Sequence, residues 1–243
     1  MKRHPIRTPA QRAEDTAAEA QAARHLPDGL LRSLRSDPLH AAEHIALAAA
    51  DWHGPAAAAW AADRRALYGP VQLGKIVKRK HASYARLGGA ATGIGGIWTA
   101  VPDLASLAWV QSRLVFFMAA AYGYDPTDRM RPAELLVLQR VYPDAESARA
   151  GLDKVGTSLA MAYVDSKLAQ ATDGQRDSAL LTSLLKFVGL RYGAKTAGRW
   201  IPGLAILTNA VGNERDTRAL ADRAIAYYGG GPPAPTFRKR LKP

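Results

Sequence analysis

The sequence predicts an all-α protein built as a single multi-helix bundle. Three observations carry that expectation. Hydrophobic residues make up 48% of the 243 residues, alanine is abundant, and β-branched runs are scarce, a composition that favours helix because alanine loses little side-chain entropy there. Apolar residues recur at three- and four-residue spacing, as in Leu180, Leu181, Leu184, Leu185 and Val188. No convincing stretch alternates with the period of two that a strand requires.

The elements follow in chain order. Thr8 and Pro9 open a helix that reaches about Arg24, and Pro27 and Gly29 break the pattern before a short helix. "SDPLHAAEHIALAAADW" reads as a further helix, capped by Ser36 or Asp37 with Pro38 in its first turn. "HGP" at 53–55 is expected to end it, a new helix covers Ala56 to Tyr68, and Gly69-Pro70 restarts the chain. A basic helix from Val71 leads into "LGGAATGIGGIWTAVPDLASL", where Pro102 marks a corner and Asp103 caps the next helix. That helix is apolar on nearly all sides and closes at Gly123 and "YDPTD". Five segments with apolar residues at helical spacing follow, the last ending "AIAYY". The small-residue run, Trp98 and Pro102 to Ala105 are echoed by Trp200 and Pro202 to Ala205, so two proline-cornered apolar hairpins are expected at the centre. The domain is placed at 26–229, after an arm or loosely docked helix over 1–25 and before a Gly/Pro-rich basic tail over 230–243.

The formal net charge of +12 points to an anionic partner. Within the predicted domain the charge concentrates in "KIVKRKHASYAR", with Lys75, Lys78, Arg79, Lys80 and Arg86. Those five are the candidate contacts for an acidic lipid surface or another acidic partner. A nucleic-acid partner rests on charge alone and is the weaker reading, since no reading module accompanies the basic residues. Cysteine is absent, so there is no disulfide framework or thiolate metal site. The first twenty residues carry basic side chains without an apolar run behind them, unlike a secretory signal peptide.

Catalytic motifs are weak. Gly93 and Gly95 lack the third glycine of a dinucleotide fingerprint, because position 98 is Trp. "GLRYGAKT" misses the P-loop pattern at Ala194. Ser106, Ser112, Ser158 and Ser183 have no nucleophile elbow around them. "HAAEH" places His40, Glu43 and His44 on one helix face, the pattern of a metal-dependent hydrolase, but no third ligand is identifiable by spacing. Asp103 and Arg113 stand out as charges in apolar surroundings, where they pair structurally or line a cavity. No cofactor is implied.

Residues from about His81 to Asp125 resemble the core signature of the EcsC protein family. The elements are "GGAATGIGG" with Gly93 and Gly96, then Pro102 and Asp103, an apolar helix with Arg113, and the ending Tyr122-Gly123-Tyr124-Asp125. In the later half, Pro202 and Asn213 lead into the last helix, and the resemblance spans about 40–228. "HAAEH" is outside that pattern. The family takes its name from a gene beside an ABC transporter linked to secretion, and no catalytic residue carries over. The resemblance and the charge together lead us to expect a non-enzymatic bacterial protein. It would be cytoplasmic and peripheral on the inner membrane, binding lipid, a membrane protein or a small hydrophobic ligand. The apolar hairpin would either pack in the core or insert reversibly.

Overall fold

The computed structural model describes residues 9–88, 96–161, 173–187 and 210–230. Among them are nine α-helices and one short 3₁₀ turn, with no strand. The helices are α1 (Pro9–Arg24), α2 (Leu30–Ser36), α3 (Ala41–Arg65), α4 (Pro70–Gly88) and α5 (Gly96–Ala121). They continue with α6 (Arg131–Leu138), α7 (Ala145–Met161), α8 (Asp173–Phe187) and α9 (Ala210–Gly229). The all-α bundle is therefore as expected from the periodicity.

Helix α5 is the axis. Helices α1, α3, α4, α6, α8 and α9 all pack on it, while α7 lies on α6 and α3, and α2 on α3 and α8. From Val101 to Ala121 only Pro102, Asp103, Ser106 and Arg113 retain appreciable exposure. A helix apolar all round is stable only when wrapped in this way. α5 is also the one helix among the described residues long and apolar enough to cross a membrane, and here its apolar stretch is 89% buried inside the protein.

Two proline expectations are corrected. α3 runs unbroken through His53-Gly54-Pro55. Pro55 lacks only the bond to the Asp51 carbonyl, and both residues lie on the exposed side, where water can take its place. The opposite face, with Ile45, Ala49, His53, Ala57 and Ala61, is buried, and that packing holds the helix together. Gly54 lets the helix lie close to the loop after α5: a Cβ would be 3.1 Å from the Pro126 carbonyl oxygen. Likewise α5 passes through Pro102 without a corner, and Asp103 lies inside the helix rather than capping it. One lost backbone bond near the helix start is outweighed by the burial of the residues after it. The first hairpin is thus the α4–α5 pair, and the second, around Pro202, falls outside the described residues.

The end of α5 is a Schellman turn. The Gly123 N–H donates to the Ala120 carbonyl at 3.1 Å and the Tyr124 N–H to the Ala119 carbonyl at 3.0 Å. Gly123 has φ +85°, which glycine adopts without a Cβ penalty. Arg65 Nη2 also donates to the Ala120 carbonyl at 2.7 Å, placing a cation at the helix C-terminus. Asp125 then accepts from the Thr127 N–H at 2.8 Å and closes the following turn.

Tyr122 is wedged between α4 and α9. A Cβ on Gly74 would lie 2.9 Å from Tyr122 Cε2, and one on Gly229 3.2 Å from Cε1, so the ring is closed in from both sides. Gly74→Ala should therefore cost roughly 1–3 kcal/mol through overpacking. Urea unfolding of a double-mutant cycle with Tyr122→Ala checks this. The account expects the Gly74→Ala penalty to shrink when the ring is gone, and strict additivity would contradict it.

Candidate functional site

The polar positions of α5 lie along one stripe, and α1 covers it. Asp103 and Arg113 stand near its two ends. Arg24 of α1 interacts electrostatically with Asp103, and Glu19 with Arg113. Between them Ala20 and Ala23 of α1 pack on Val110 and Tyr84, a small cluster separate from the main core. Burying two methyl groups stabilises this contact by only about 1–2 kcal/mol.

Beneath α1 is a cavity of about 290 Å³, lined by Glu19, Trp52, His53, Lys80, Trp109 and Arg113 among others. Glu19 Oε2 lies 3.0 Å from Lys80 Nζ and accepts from the Tyr84 hydroxyl at 3.1 Å. Lys80, Tyr84 and Arg113 hold the Glu19 carboxyl below its ordinary range even though burial pushes it up. Arg113 is stacked on Phe117, 4.0 Å from the ring centroid. Among the described residues it has no carboxylate within salt-bridge distance. Its Nη1 lies 3.2 Å from His81 Nε2.

His81 sets that geometry through its tautomer. It is fully buried, and its Nδ1 lies 2.9 Å from the Val77 carbonyl, which only a protonated Nδ1 can satisfy. Nε2 is left as the acceptor for Arg113. Burial, then Arg113, lowers the His81 pKa to about 3, so the ring stays neutral. His53 is also buried and pushed well below the usual histidine range, first by burial and then by Arg113 and His81. Its ring centroid is 4.3 Å from that of Trp109, and its Nε2 has no hydrogen-bond partner among the described residues.

A second buried cluster is structural. Arg131 pairs with Glu134, and the Tyr228 hydroxyl donates to Glu134 at 2.8 Å. Arg131 also faces the Tyr124 and Tyr228 rings, whose centroids are 5.1 Å apart. Burial pushes the Glu134 carboxyl up, against the pull of Arg131 and the tyrosine. This cluster pins the end of α9 to α6 and to the turn after α5. A chain of amides does the same nearby: Gln139 donates to Gln111 at 3.0 Å, and Gln111 to Thr217 at 3.4 Å.

The residues singled out in the sequence divide sharply. In the basic helix, Lys78 pairs with Asp222, Lys80 with Glu19, and Arg86 lies 3.9 Å from Glu214. Lys75 and Arg79 are exposed and have no acidic partner among the described residues. His40 and His44 both turn to Asp37, at 2.9 and 3.2 Å, whereas Glu43 accepts from Tyr142. The two histidines and the glutamate therefore do not converge on one point, and Asp37 uses its carboxylate on them instead of capping the helix. Asn213 is buried in the first turn of α9. Gly96 begins α5, while Gly93 and Pro202 fall outside the described residues.

Glu19, His53, His81, Tyr84 and Trp109 were missed. The available signal was small: His81 and Tyr84 continue the Leu73–Val77 stripe of α4, and Trp109, Arg113 and Phe117 recur every four residues along α5. Nothing in the spacing says that the two stripes meet.

The His81 arrangement predicts a pH dependence. Between pH 6.5 and about 3 the unfolded chain holds a proton at His81 that the folded chain refuses. Stability that is fully present above the unfolded value is then lost as pH falls, by about 1.4 kcal/mol per pH unit. Denaturant titrations from pH 7 to 5 should show a shallower acid loss for His81→Gln than for the parent chain. Parallel profiles would contradict the neutral, buried assignment.

No curated protein and no solved structure matches the chain. The family model for the EcsC protein family matches residues 64–229, which include Lys80, Tyr84, Arg113 and the Arg131–Glu134–Tyr228 cluster but leave out α1, His53 and "HAAEH". On that match over more than half its length, the chain belongs to the EcsC protein family.

Proposed function

We propose that this protein is a non-catalytic helical module that docks on an acidic membrane surface through the corner between α3 and α4. One observation carries the reading: large apolar side chains lie exposed at this corner, and cations with no acidic partner among the described residues continue from it along α4. Leu67 is 74% exposed and Val71 59%, with Tyr68 beside them. Val71, Lys75 and Arg79 follow at four-residue intervals on one side of α4. Arg64 and Arg65 end α3 at the same corner, and Asp63 is the acidic residue nearest in sequence.

The chemistry suits an interface between water and lipid. Each lysine or arginine near an acidic surface contributes about 1 kcal/mol. Exposed Leu67 and Val71 add apolar burial if they enter the headgroup layer. Neither contribution anchors a protein alone, and together they give reversible contact. α5 need not leave the core for this, because the docking residues are already outside.

Flotation with vesicles tests the proposal. Binding is expected to vesicles containing phosphatidylglycerol, to fall in high salt, and to drop at least several-fold in Lys75→Glu/Arg79→Glu or Leu67→Glu/Val71→Glu variants. Failure to float with acidic vesicles, or flotation unchanged by both pairs of substitutions, would overturn it.

A further inference from the structure

We propose that Lys80, Tyr84 and Arg113 form a binding site for a small organic acid, a carboxylate or phosphate ester with an apolar body, and that Glu19 of α1 occupies this site in cis. Four observations support it. One cation and a hydroxyl meet on one carboxylate, Glu19 contacting Lys80 and Tyr84 at 3.0 and 3.1 Å, and Arg113 acts on it electrostatically from beyond salt-bridge distance. Arg113, held by His81 and Phe117, presents the rest of its guanidinium to the cavity with no carboxylate at salt-bridge distance among the described residues. The cavity of about 290 Å³ continues past the cations to Trp52 and Trp109, which give an apolar acid a place for its body. His53, more than nine-tenths buried on the same wall, has an Nε2 without a partner among the described residues. A buried polar atom of this kind has a hydrogen bond to gain from a ligand.

The occupant is separable from the site. Glu19 is half-exposed, and an ion pair so open to water contributes little to stability. The apolar hold of α1 at this point is Ala20 and Ala23. The family match begins at residue 64, so Lys80, Tyr84 and Arg113 lie within it and α1 does not. An acid that takes the Glu19 position satisfies the same donors while α1 gives way. The apparent affinity is then reduced by the fraction of molecules in which Glu19 holds the site.

Binding of phenyl phosphate, followed by calorimetry and by fluorescence of the tryptophans, tests this on the full chain. Glu19→Gln should bind on the order of tenfold tighter than the parent, since the internal competitor is gone. Adding Arg113→Gln or Lys80→Gln to Glu19→Gln should weaken binding at least as much. Lys80 is at the surface, so that variant tests the site even where the Arg113 change perturbs folding. Benzyl alcohol, which has the ring without the charge, should not compete. Monomeric dihexanoyl phosphatidic acid, run in parallel, separates sources: preference for it identifies a lipid headgroup, and preference for phenyl phosphate a soluble acid. Lys75→Glu/Arg79→Glu should leave this binding unchanged, so it stands apart from membrane docking. Equal affinity of Glu19→Gln and parent, or binding untouched by both cation substitutions, would overturn the proposal.

Discussion

The constraint on which the rest of the structure depends is the burial of α5 on every side but one. Its apolar side chains, from Val101 to Ala121, need neighbours in nearly all directions, and six helices supply them. The remaining side carries Asp103 and Arg113, charges that a dry helix interface would penalise heavily. The fold places a thin helix there, with a cation near Asp103 and an anion near Arg113. Core and polar cavity are thus two consequences of one helix. The apolar faces bring α3 and α4 close enough for His53 and His81 to reach the Arg113 side.

The Tyr122–Asp125 turn and the last helix end are held mechanically. Gly123 lets α5 stop in a Schellman turn, Tyr122 fills the space left by two glycines, and Asp125 folds the next turn. Arg131, Glu134 and Tyr228 then lock the last helix against that turn. A buried ion pair with a tyrosine hydroxyl on it is costly to break from one side, because the survivor keeps its charge without its partner. These residues therefore hold the helix ends in register; one opening lies under α1, and another, at the α3–α4 corner, is lined in part by Tyr122 and Gly123.

Much of this was legible in the sequence. The helices follow from three- and four-residue apolar spacing, and Gly123 and Pro70 mark true ends. Pro55 and Pro102 misled because local rules count the lost hydrogen bond and not the burial on either side of it. Asp37 and Asp103 resembled caps, yet Asp37 serves two imidazoles just after it in the chain and Asp103 serves Arg24, which only the fold brings near. The basic stretch at 75–86 read as one patch, but Lys78 pairs with Asp222, 144 residues away, and Lys80 with Glu19. Spacing within a segment cannot show such partners. Arg113 was visible as an anomaly, whereas its site was not, because the site is assembled from four different helices.

Amide hydrogen exchange tests the central claim most directly, that α1 is a weakly held cover on a firmly packed axis. The account predicts that amides of α1 exchange through a local opening, far faster than those of α5, which open only with the whole domain. Any effect of Glu19→Gln on exchange should be small and confined to α1, with α5 unchanged. Equal protection of the two helices, with both responding alike to denaturant, would contradict it.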